Sequence, residues 1–485
     1  MSFTEFHSFL NFRILTWVSQ IMLRIKLKFI IFVTIYSAIF SLIFFTISPF
    51  FGIGLLALSF LGLSMQSLDR TILLPFYLFP FMFLIRAQSP ENAFLAVLPD
   101  LFIVLSIALN VATLKIRKND MGLFGLIAVL AILVPSINLY HVGELSYLPL
   151  LIRQCALPFL FLLVVINSSL KNPGLHEEAL FISVMSFSLV AILSLLNIAG
   201  IIFIPRSLEA LYPFLNFIEN TDNIEQISRS IEGFSFPRLN LFTGGALGSS
   251  AALFFILGLI ALFNLQSKPV WIMKILSIPL IVAAAATLSS SLIIALMGYC
   301  LAFFFMQKAK FIGKLIGSIG IVGIGFLLTS ISVIDISPAD YLMETSIGGF
   351  VKHVSTLDFW ELIFGVGPRI ASSGFEFIPE KFVIDVGIFR VFVESGIIAF
   401  TLFLLLVMQI LYRGFIISVY GDVSEVRPYI AIFLVFILLI HANMTLLPPF
   451  YPLFCIACLG MSQMFDRKRL PMTLDGEFRP WITRF

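Results

Sequence analysis

The sequence predicts an all-α, polytopic integral membrane protein with about fourteen transmembrane helices (roughly 12–14). Three observations carry this prediction. The 485 residues are 60% hydrophobic and only 12% charged, with a mean hydropathy of +1.06, whereas a soluble domain carries about a quarter charged residues. Apolar runs of bilayer length recur from end to end. Lysine and arginine collect on alternate connections between those runs, as positive-inside orientation requires.

Taken in order, the runs cover 29–47, 49–65, 71–85, 94–114, 121–139, 148–167, 179–203, 241–264, 272–289, 291–306, 314–334, 386–412, 429–446 and 450–464. The runs 49–65, 71–85, 291–306 and 450–464 are short for a crossing. No cleavable leader is expected, because the first strong run is long and lacks a small-residue exit. With both termini cytoplasmic, outside segments hold Arg86, Arg206, Arg229, Arg238, Lys352, Arg369, Lys381 and Arg390, and Arg153 falls within a run. The other basic residues then lie inside. The chain is one membrane domain, 1–485, with two long outer loops: 205–240, before a helix opening on Gly244, Gly245, Gly248, Ser249 and Ser250, and 335–388, a large cap.

The 27 acidic and 30 basic residues nearly cancel, so no nucleic-acid partner is expected. The cysteines Cys155, Cys300, Cys455 and Cys458 all lie in apolar runs. The lone Cys455-x-x-Cys458 has no second pair, so packing is the expected role and no metal or cofactor is assigned.

Ionisable residues inside a membrane need a reason. Asp100, Arg153, Glu394 and His441 all fall about 8–12 Å below the outer surface in this topology. Arg238 and Arg390 stand where the long loops enter the membrane. One reading is an outward pocket whose guanidinium groups hold an anionic head group such as a lipid-linked diphosphate. The other is structural pairing: Asp100 with Arg153, Arg390 with Glu394 one turn on, and His441 as a buried histidine. Asn110, Asn167 and Asn197 are expected to hydrogen-bond between helices or at helix ends. His141, in a short outer connection, could go either way, with solvent its expected surroundings.

The cap holds a Gly-rich turn, Phe364-Gly365-Val366-Gly367-Pro368, followed by Ile384-Asp385 and Glu394-Ser395-Gly396-Ile397-Ile398. Earlier come Glu232-Gly233-Phe234-Ser235-Phe236-Pro237-Arg238-Leu239-Asn240 and Thr287-Leu288-Ser289-Ser290-Ser291. In this order the segments, across 205–464, resemble the O-antigen ligase/polymerase superfamily. The resemblance departs at Ser291, where arginine is usual, and at Asp385 to Arg390, where the superfamily's ligases carry a histidine. It therefore points to the Wzy-like polymerases.

The resemblance implies a GT-C-like, metal-independent membrane glycosyltransferase in the bacterial inner membrane, working on the periplasmic face. It would polymerise polyprenyl-diphosphate-linked oligosaccharide repeats into O-antigen or a related lipopolysaccharide or surface polysaccharide. Membrane lipid is a second expected partner, and a chain-length regulator protein is compatible with the reading. Arg153, Arg238, Arg369 and Arg390 are the expected diphosphate ligands; His353, Asp385 or Glu394 would serve as base; Asp100, Glu232 and His441 would support them. The alternatives are a ligase transferring finished glycan to a lipid acceptor, and a flippase. A flippase predicts repeated halves and midplane charges, neither of which is visible.

Overall fold

The computed structural model describes residues 67–78, 93–114, 121–143, 148–152, 156–172, 175–199, 228–231, 234–237, 247–263, 270–287, 291–305, 311–331, 354–367 and 387–420, with isolated positions besides. A 3₁₀ turn over Leu68–Ile72 leads into α1 (Leu73–Leu78). There follow α2 (Ala93–Val111), α3 (Met121–Val142), α4 (Leu148–Leu151), α5 (Leu157–Lys171) and α6 (Leu175–Ile198). Strands β1 (Ser228–Ile231) and β2 (Phe234–Pro237) precede α7 (Leu247–Phe263), α8 (Val270–Ala286), α9 (Ser291–Phe305) and α10 (Phe311–Ile331). The short α11 (Phe359–Phe364) and the long α12 (Gly387–Tyr420) complete the described part.

Apart from one hairpin, the described part is helical, and its helices are apolar. Among the described residues Met121–His141, Glu178–Ile198 and Phe392–Gln409 are long and apolar enough to cross a membrane, and shorter apolar helices accompany them. Membrane-embedded helix is the structure this composition requires, because a helix satisfies its own backbone groups without water.

The helix α6 is the centre of the packing, touching α1, α5, α7 and α8. It buries Ala179, Leu180, Val184, Phe187, Val190 and Ala191, and Phe187 meets Phe254 of α7 edge-on at 5.2 Å. Its buried serines bond to carbonyls one turn back: Ser183 to Ala179 at 2.8 Å and Ser194 to Val190 at 2.8 Å. These serines thus enter the core with their hydroxyls hydrogen-bonded. Ser188 lies within bonding distance of the Val184 carbonyl, 2.6 Å, and of the Leu276 carbonyl on α8, 2.9 Å. Small residues let α7 and α8 approach closely: a Cβ added at Gly258 would stand 2.6 Å from Ile281 Cγ1.

A polar knot closes one end of this bundle. Arg70 donates to Glu178 at 2.9 Å, and Lys171 stands 3.6 Å from Asp69 and donates to Thr113 Oγ1 at 2.9 Å. Asn110 Nδ2 lies within bonding distance of the Thr71 hydroxyl and of the Leu68 and Ser106 carbonyls, 2.8–3.2 Å, while Ser168 donates to its Oδ1 at 3.4 Å. The expected interhelical role of Asn110 is what the structure displays.

Two expected elements differ in form. Within the run 148–167 the structure describes α4 and α5, the second with proline in its first turn, and residues 153–155 lie outside the described residues. The run 386–412 belongs to α12, yet that helix is broken at Gly396, where φ is 73° and ψ is 176°. Part of the loop 205–240 forms an antiparallel hairpin, with Ser228 opposite Pro237 and Ile231 opposite Phe234.

Candidate functional site

The best-defined feature near the expected site is built by glycines. Asp358 accepts from the Glu361 backbone N–H at 2.8 Å, and the Glu361 carboxylate accepts from the Asp358 N–H at 3.1 Å, a reciprocal capping box that starts α11. Gly365, with φ of 77°, ends the helix, its N–H donating to the Glu361 carbonyl at 2.7 Å. The chain then runs alongside α12: Val366 N–H donates to the Val393 carbonyl at 2.8 Å and Gly367 N–H to the Glu394 carbonyl at 3.1 Å.

These bonds explain the break at Gly396. In an unbroken helix the Val393 and Glu394 carbonyls would accept from residues four positions on. With Gly396 in an extended positive-φ conformation, the loop's N–H groups satisfy those carbonyls instead. The approach leaves no room for side chains. A Cβ at Gly365 would collide with the Glu394 carbonyl group, and one at Gly396 with the Ile363 carbonyl oxygen. Val366 and Val393 are buried together, flanked by Phe350, Leu357 and Phe392.

Across the turn stands α3. A Cβ at Gly367 would lie 2.5 Å from His141 Cβ, so the imidazole-bearing end of α3 rests on the second glycine of the turn. The His141 ring also meets Tyr140 edge-on at 5.4 Å. His141 is the residue that sequence reasoning left open. Nothing in its own short connection marks it; only the fold brings it to the turn.

Of the expected site residues, Glu394 is half-buried on α12 immediately before the break. Arg390 lies one helical turn earlier on the same face of α12, and Asp100 lies in the first half of α2; for these two the backbone is described. Arg153, Arg238, Arg369, His353, Asp385, Glu232 and His441 fall outside the described residues. The structure therefore brings together Glu394, the Gly365–Gly367 turn and His141. Among the described residues no three His, Cys, Asp or Glu side chains gather into a metal-ligand set. No family model, curated protein or solved structure matches the chain.

Proposed function

We propose that the chain is a membrane glycosyltransferase that joins lipid-diphosphate-linked oligosaccharide repeats into a polysaccharide on the outer face of a bacterial inner membrane. One observation supports this reading more than any other. Two pieces of the superfamily-like pattern, Gly365-Val366-Gly367 and Glu394-Ser395-Gly396, are hydrogen-bonded into a single backbone unit. That unit includes Glu394, half-buried in the second turn of α12.

In the proposed reaction the anomeric carbon–oxygen bond to the donor's diphosphate breaks. An acceptor hydroxyl forms the new glycosidic bond and gives its proton to the base. The arginines Arg153, Arg238, Arg369 and Arg390 hold the leaving diphosphate, since fixed guanidinium charge in a dry site stabilises the charge that develops there. His353, Asp385 and Glu394 remain the candidate bases, and the position of His141 against the turn adds it to them. Losing the base would lower the rate about 10²–10⁴-fold.

Replacing Arg238, Arg369 or Arg390 by Gln tests the reading through the glycans that accumulate. Single lipid-linked repeats, with protein still in the membrane, are the expected result. Finished lipid-linked polymer that fails to reach its acceptor would favour the ligase alternative. Normal polymer from all three variants would remove those arginines from the site.

A further inference from the structure

We propose that α11 is a membrane-interface anchor, its Phe359–Trp360 edge seated at the level of the lipid head groups. The proposal depends on the chain's being a membrane protein and not on its being a glycosyltransferase. The turn that ends α11 is tied by backbone bonds to Val393 and Glu394, in the second turn of α12. Through Gly367 it also abuts His141, at the end of the Met121–His141 candidate span. It therefore lies level with the end of α3 and with the second turn of α12.

At that level the chain turns aromatic rings outward. Phe359 is 67% exposed and Trp360 63%, while residues 361–364 are half-buried against the turn. Trp360 is held flat on Phe364, ring centroids 6.1 Å apart and 11° from parallel, and edge-on to Phe359 at 5.4 Å. Tyr140, 81% exposed, adds a third outward ring beside His141. Just past the break, Ile397 and Ile398 continue the outward apolar surface down α12.

Tryptophan and tyrosine concentrate at the membrane boundary because an apolar body and a polar tip suit a surface dry on one side and wet on the other. The polar part of the element agrees. The Asp358–Glu361 capping box satisfies the helix start from within, so α11 needs no neighbouring protein to close its N-terminus. Ile397 and Ile398, exposed just past the glycine that packs on Ile363, put further apolar surface beside α11 and select lipid as the occupant over a sugar ring stacked on Trp360.

The test reads Trp360 fluorescence in the full-length protein carrying Trp17→Phe, Trp271→Phe and Trp481→Phe, reconstituted in phosphatidylcholine vesicles. Lipids brominated near the top of the acyl chains should quench Trp360 more than lipids brominated near the chain middle, and aqueous acrylamide should quench it weakly. Strong acrylamide quenching without bromolipid quenching, which a water-facing or sugar-binding ring would give, overturns the proposal. So does quenching by neither agent. If the triple variant fails to fold, the quenchable emission lost on Trp360→Phe in the otherwise native chain gives the same comparison.

Discussion

Gly396 decides the local geometry more than any other residue. Its positive φ is reached by other residues only at a cost of about 1–3 kcal/mol, and a methyl group there would also meet the Ile363 carbonyl. Gly396→Ala is therefore expected to destabilise the protein by at least about 1–3 kcal/mol and to free the Gly365–Gly367 turn from α12. Gly125→Ala is the control. Gly125 lies inside α3 with nothing within 4 Å of an added Cβ, and the helix should gain about 0.5–1 kcal/mol. Thermal unfolding of the purified variants separates the two; equal midpoints would mean that the turn does not depend on the break. The Gly-Val-Gly turn itself is legible in the sequence. Its docking site is not, because Gly396 lies inside a continuous apolar run, and hydropathy is blind to a single φ angle. The adjacent Ser395-Gly396 pair is the one local sign of a kink.

At the scale of elements, hydropathy locates the helices well and their interruptions poorly. The ends of α2 and α3 fall within a few residues of the apolar runs, since both are set by where charges begin. The break at Gly396 escapes a hydropathy window, because a change in one backbone angle leaves the hydropathy unaltered. The hairpin Ser228–Pro237 escapes for another reason: two strands of four residues are too short for a periodicity to register. What holds the helix ends together is polar. Arg70 and Glu178 are largely enclosed, with 10% and 20% of their side chains exposed. Glu178→Leu removes this enclosed partner of Arg70 and should cost up to about 3–5 kcal/mol. Adding Arg70→Met should recover much of that loss, because the pair's own net contribution is small once both charges are gone. Unfolding midpoints of the two single variants and the double variant measure the difference. Losses that simply add would show that the two side chains act independently.

For the whole molecule, the packing arranges distant segments by end. Asp69, Arg70, Thr113, Lys171 and Glu178, drawn from three separate connections, meet at one end of the bundle. His141, the Gly365–Gly367 turn and the break in α12 meet at the other end of α3, whose 22 residues span about 33 Å, a full hydrocarbon core. On the positive-inside rule the first group is expected inside and the second outside. That assignment is open to a direct test in a chain whose native cysteines are replaced by serine. Cysteines at Leu145 and Ile201, both exposed, should react with an impermeant maleimide in right-side-out vesicles. A cysteine at Met121, exposed at the opposite end of α3, should react only once the vesicles are opened. Reaction at all three positions would mean that α3 does not cross the membrane. The reversed pattern would keep the bundle as described but turn Glu394, His141 and the glycine turn towards the cytoplasm. A glycan polymerase of the outer face would then lose its site, while the tie between α11 and α12 would stand, because backbone bonds between two segments are indifferent to which side of the membrane they occupy.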